Sequence, residues 1–136
     1  MHQLASFLWR TYIWSLMKLL VVEDKPLVVR AAEIAGERLR MSVDCASDGW
    51  DAIARLEAER YDAILIDADL PHRSGFGVLA FLHEEHGREL PHVLLLSSDT
   101  GSVRRHLAEG TVRVMRTTES AEELEQALQS SAAWQS

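Results

Sequence analysis

Three short runs in this chain are apolar at nearly every position: Leu19-Leu-Val-Val22, Ala63-Ile-Leu-Ile66 and His92-Val-Leu-Leu-Leu96. A strand with one wet face alternates apolar and polar residues, whereas a strand covered on both faces does not. The runs therefore predict central strands of a parallel sheet sandwiched between helices. The segments between them have helical character. Pro26 suits a first helical turn, and 26–40 carries Leu27, Ala31, Ile34, Ala35 and Leu39 at helical spacing. Residues 50–59 read as a helix carrying Trp50, Ile53, Ala54 and Leu56. A third helix is expected from Ser74 or Gly75 to Glu85, and a short fourth over 102–108. The last opens on a capping box, Ser120 with Glu123, and runs to about Gln129. With strands at Lys18–Val22, Met41–Ala46, 62–66, His92–Leu96 and Val112–Met115, five strands alternate with five helices. That is the pattern of an α/β, doubly wound parallel sheet.

The 136 residues suffice for one such domain, expected over 17–130, with 131–136 as a tail. Residues 1–16, MHQLASFLWRTYIWSL, read as an appendage ahead of a second methionine, Met17, as if from a start codon placed too early. The alternative is an apolar docking helix, since Leu4, Phe7, Leu8 and Tyr12 share a helical face. A formal charge of −7 argues against a nucleic-acid partner. No run reaches the ~18 apolar residues of a membrane span. Cys45 is the sole cysteine, so no intramolecular disulfide forms; it reads as a core filler in a reducing compartment.

The acids at the strand ends carry the chemistry. In a doubly wound sheet, ligands bind beyond the carboxyl ends of the strands. Glu23 and Asp24 end the first strand and Asp67 ends the third. On neighbouring strands, these carboxylates would crowd one crevice, and like charges so close push protons onto one of them. A hard divalent cation such as Mg2+, which takes oxygen ligands, removes that cost. A metallated carboxylate beside an open face suits phosphoryl chemistry.

The stretches LLVVEDKP at 19–26, ASDGWDAI at 46–53, YDAILIDADLPHRSGFGVL at 61–79 and PHVLLLSSD at 91–99 resemble the receiver domain of bacterial two-component response regulators. The resemblance runs from Met17 to about Gln129. It implies a CheY-like, flavodoxin-like sheet of order 2-1-3-4-5. It also implies a stand-alone cytoplasmic domain that takes a phosphoryl group from a histidine kinase onto Asp67. Glu23 and Asp24 match the acidic pair that holds Mg2+, and the backbone carbonyl of Asp69 matches a further ligand. Ser97 matches the hydroxyl residue that turns toward the phosphoryl oxygen, and Pro71 and Gly75 match the turn residues after the phosphoacceptor. Output would be contact with a protein effector, or a homodimer, through the fourth helix, fifth strand and fifth helix. No catalytic turnover is implied beyond slow self-phosphorylation and self-dephosphorylation.

Several positions depart from the family pattern. The lysine that closes the family's site at the end of the fifth strand falls on Thr117, and the following proline on Thr118. Arg116 stands one residue earlier and is the candidate replacement, although neighbours in a strand point to opposite faces. Val114 occupies the position of a mobile aromatic ring, Ser98 that of a small residue, and the fourth helix is short. These changes lie on the output side of the site, so the alternative is a degenerate receiver that binds a partner whatever its phosphorylation state.

Other signals are weaker. His83 and His86 lie one helical turn apart without an evident third ligand, so they read as surface rather than a zinc site. Gly75-Phe-Gly77 lacks the third glycine of a dinucleotide loop, and Arg104-Arg105-His106 reads as solvated surface. A haloacid-type hydrolase would carry paired aspartates after its first strand. Glu-Asp at 23–24 is not that pair.

Overall fold

The computed structural model of the chain describes residues 17–71, 74–86, 91–107 and 112–130. Five strands, β1 (Lys18–Val22), β2 (Ser42–Ala46), β3 (Ala63–Asp67), β4 (His92–Ser97) and β5 (Val112–Arg116), alternate with five helices. These are α1 (Pro26–Arg38), α2 (Gly49–Ala58), α3 (Ser74–His86), α4 (Thr100–His106) and α5 (Ala121–Gln129). All pairings are parallel and the strand order is β2-β1-β3-β4-β5. The chain thus forms the α/β sheet that the three apolar runs predict. The appendage at 1–16 and the tail at 131–136 lie outside the described residues.

The apolar runs divide their side chains between two cores. Leu19, Val21, Leu65, Leu94 and Leu96 face α1 and α5. Leu20, Val22, Ile64, Ile66 and Leu95 face the other layer, with Ala52 and Leu56 of α2, Val78 and Leu82 of α3 and Val103 of α4. Burial of each such side chain contributes roughly 1.5–3 kcal/mol, which makes the three central strands the rigid base of the site.

Helix faces are where the structure corrects the sequence. In α1 the buried residues are Val28, Ala31, Ala32, Ala35 and Gly36, while Leu27 is 66% exposed. In α2 they are Gly49, Ala52 and Leu56, while Trp50 is 84% exposed and Ala54 is also outside. The buried Ala52 and Leu56, one turn apart, set the core face of α2, and Trp50 lies about 200° around the helix from Ala52; the Asp48 side chain, accepting from the Asp51 N–H, starts the helix at Gly49. β3 and β4 extend to Asp67 and Ser97, so both residues belong to strands. The capping box is half made. Ser120 Oγ accepts from the Glu123 N–H, but the Ser120 N–H donates to Thr118 Oγ1 rather than to Glu123.

Gly75 fixes how α3 leaves the sheet. A Cβ there would lie 2.6 Å from the Asp67 carbonyl oxygen and 3.3 Å from Ala68 Cα, so only glycine lets α3 approach the end of β3 this closely. Leu65→Ala, in the centre of the sheet, is expected to cost about 2–5 kcal/mol in urea unfolding, and Trp50→Ala less than about 0.5 kcal/mol.

Candidate functional site

Register brings the acids together. Val22 pairs with Ile66, so the next residues, Glu23 and Asp67, leave adjacent strands side by side. The Glu23 N–H donates to the Ala46 carbonyl, extending the β1–β2 ladder past the strand. Oxygens of Glu23, Asp24 and Asp67 all lie within 4.8 Å of one another. Among the described residues these form the only such group of potential metal ligands. Asp67 is fully buried, Glu23 is 2% exposed, and Asp24 faces solvent.

Each buried oxygen has a defined role. Asp67 Oδ1 accepts from the Asp69 N–H at 2.7 Å, and Oδ2 accepts from Lys25 Nζ at 2.5 Å. Glu23 Oε1 accepts from the Asp24 and Lys25 N–H groups and lies 3.7 Å from Lys25 Nζ. Glu23 Oε2 is buried with no donor. Burial, the hydrogen bond with Asp67 and the charge of Asp67 push the Glu23 carboxyl up to about 8. Burial also pushes Asp67 upward, but hydrogen bonds from Glu23, Lys25 and the Asp69 N–H outweigh it and hold that carboxyl below its ordinary value. Protonated, Glu23 changes from an acceptor lacking a donor into a donor to Asp67.

An orphaned buried oxygen, two further carboxylates and a shared proton are what a hard cation would relieve. The donor set therefore fits a divalent ion.

Loops from β3 and β4 complete the rim. Ser97 is 1% exposed; its Oγ accepts from the Asp99 N–H at 3.0 Å, which leaves the hydroxyl proton to donate elsewhere. Asp69 Oδ2 accepts from the Ser98 N–H at 2.8 Å and ties the two loops together. A cleft of about 460 Å3 opens beside Asp69, Phe76 and Ser97. Another of about 580 Å3 runs between Lys25 and the Thr117-Thr118 segment.

The end of β5 differs from the expectation for Arg116. Met115 packs into the core under α1 and α5, so its neighbour Arg116 points to the opposite side, where it is exposed. It makes no ion pair with Glu23, Asp24 or Asp67. Thr117 instead lies toward the acids: its N–H donates to the Ser97 carbonyl and its Oγ1 is buried without a partner. The cation at the acids is Lys25, which in the sequence reads only as part of the stop after the first strand. Its place next to the acidic pair was the available signal. His83 is exposed, and the side chain of His86 lies outside the described residues.

The sequence pattern of the response regulator receiver domain matches residues 19–129. The chain belongs to this family. The receiver is 32% identical over 84 residues to the transcriptional regulatory protein QseB of Haemophilus influenzae, covering 62% of this chain and 38% of QseB. It is 39% identical over 79 residues to the transcriptional regulatory protein DltR of Streptococcus agalactiae, covering 58% and 35%. The match therefore spans well under half the length of these relatives. Among solved structures, the chemotaxis response regulator CheY4 of Vibrio cholerae superposes with a TM-score of 0.73 at 22% identity, covering 83% of this chain and 96% of that one. The response regulator TrrA of Thermotoga maritima, in complex with Mg(2+)-BeF, gives 0.65 at 21% identity, covering 84% and 97%. At these identities the likeness is one of fold. In this receiver the acidic cluster occupies the kind of pocket at which receiver domains bind Mg2+. Among the described residues, no helix is long and apolar enough to cross a membrane.

The shared proton makes metal binding visible by pH. Without metal, Glu23 titrates at about 8 when folded against 4.5 ordinarily. The folded state then holds the extra proton between those values, so this contribution to stability is lost as pH rises through the window. The melting temperature of metal-free protein is expected to fall from pH 6 to pH 8, and saturating Mg2+ to flatten that slope. Calorimetry at pH 7 in buffers of different ionisation enthalpy should show release of close to about one proton per ion bound.

Proposed function

We propose that this receiver accepts a phosphoryl group on Asp67 from a histidine kinase in the presence of Mg2+ and signals through protein–protein contact. One observation carries the reading: Asp67 is fully buried at the end of a central strand, at the rim where two more carboxylates meet it. A carboxylate in that position is a nucleophile held in place. The Asp69 N–H fixes one oxygen, and the rigid β3 fixes the backbone.

Glu23, Asp24 and Asp67, with the carbonyl of Asp69, are the proposed Mg2+ ligands. The ion, when bound, supplies positive charge against the oxygens of the transferring group. The chain does the rest. An Asp67 oxygen forms the new O–P bond while the P–N bond of the phosphohistidine breaks, and the imidazole leaves with the electron pair. Ser97 donates its hydroxyl proton to a phosphoryl oxygen. The buried strands below exclude water from the attacking carboxylate. No sustained turnover is proposed, only slow loss of the phosphoryl group to water.

A second reading has one observation in its favour. Lys25 already neutralises Asp67, so the domain would hold its shape without metal or phosphate and act as an interaction module regardless of either. Intact-mass measurement after incubation with acetyl phosphate and Mg2+ separates the two. Wild type is expected to gain the mass of one phosphoryl group and Asp67→Asn to gain none. An increment that survives Asp67→Asn removes the residue assignment, and an unmodified wild type favours the interaction module.

A further inference from the structure

The cation that meets Asp67 comes from an unusual direction. Lys25 is the residue before α1, at a helix N-terminus, where the backbone dipole disfavours positive charge. Its side chain caps nothing. It crosses instead to Asp67 Oδ2 at 2.5 Å, with Glu23 Oε1 at 3.7 Å, spanning 42 residues of sequence. The reach costs side-chain entropy, and the pairing with the buried Asp67 carboxylate offsets it.

Lys25 is anchored at one end only. Its side chain remains 47% exposed while both acids it touches are sealed, so the ammonium sits at the mouth of the site rather than inside it. From there it also borders the cleft that runs to Thr117, whose buried Oγ1 lacks a partner. β5 sends no cation into the site: Arg116 projects from the opposite side. Among the described residues, Lys25 is the one cation in ion-pair contact with Asp67.

We infer that Lys25 is a catalytic residue of the proposed phosphoryl transfer, a mobile cation that leaves Asp67 Oδ2 and pairs with an oxygen of the incoming phosphoryl group. The inference rests on the phosphoacceptor reading above. With acetyl phosphate as donor, an Asp67 oxygen forms the O–P bond, the bond from phosphorus to the acetyl oxygen breaks, and acetate departs with the electron pair. No proton changes hands. The peripheral phosphoryl oxygens keep their negative charge throughout, and the ammonium follows that charge from carboxylate to phosphate. In the resting protein the same ammonium competes with a divalent cation for Asp67 and Glu23.

This dual role predicts effects of opposite sign. Lys25→Gln should bind Mg2+ about five- to tenfold more tightly by calorimetry, because one competing charge is gone. At saturating Mg2+ it should be phosphorylated by acetyl phosphate about ten- to a hundredfold more slowly, because one phosphoryl partner is gone. Lys25→Arg, which keeps the charge, should retain more of the rate than Lys25→Gln. Both variants should melt within a few degrees of wild type, since the side chain is half exposed. A Lys25→Gln protein phosphorylated at the wild-type rate overturns the inference, as does one that loses Mg2+ affinity and rate together. A rate that is lost in Arg116→Ala but kept in Lys25→Gln also overturns it. If wild type itself takes no phosphate on Asp67, the phosphoacceptor reading fails first and this one with it.

Discussion

Asp67 is a carboxylate with no solvent access, at the end of a strand whose other residues are all apolar and buried. The remainder of the site answers that one electrostatic problem. A buried anion survives only with hydrogen bonds and counter-charge, and the neighbouring loops supply them. The β3–α3 loop gives the Asp69 N–H, and the β1–α1 loop gives both the Lys25 ammonium and a Glu23 that holds a proton. Gly75 lets α3 close over the same turn without a clash. Each of these partners lowers the cost of the buried charge.

The site is also asymmetric. On the β1 side, acids and a lysine are packed within bonding distance of one another. On the β4–β5 side, hydroxyl and amide groups predominate, in Ser97, Ser98, Thr117 and Thr118; of the two arginines of β5, Arg113 bonds to the Ala127 carbonyl and Arg116, at the strand end, turns away. An acidic flank that could hold a cation and a flank rich in hydrogen-bonding groups are the two features the proposed phosphoryl transfer would use. In that transfer, a cation held by the acids after β1 would offset the charge of the incoming phosphoryl group, and the loop after β4 would offer it hydrogen bonds. Lys25 is the element that makes this division work, since it supplies charge without occupying the strand that lacks it.

The sequence made most of the fold legible, because LLVV, AILI and VLLL have no polar face and so can only be central strands. It made the helix faces less legible. Trp50 and Leu27 fit helical spacing, but spacing alone does not set the phase of a helix; packing of Ala52 and Leu56 against the sheet does so for α2. The acid pair and Asp67 were legible as a group because their positions follow from strand ends. Lys25 was not, since its partner is 42 residues away and only the β1–β3 register brings them together. Arg116 and Thr117 posed a question of strand parity, and the packing of Met115 against the α1–α5 core decides it.

The central claim is that Glu23, Asp24 and Asp67 hold a single divalent ion between them. Paramagnetic broadening by substoichiometric Mn2+ reads this directly from the amide signals of the folded protein. The amides of residues 23–25 and 67–69 should vanish first, with Mg2+ in excess restoring them. If the strongest broadening falls instead at the opposite end of the sheet, around Asp44, Glu59 and Asp62, while the Asp67 amide stays sharp, the acids do not share an ion and the site described here is wrong.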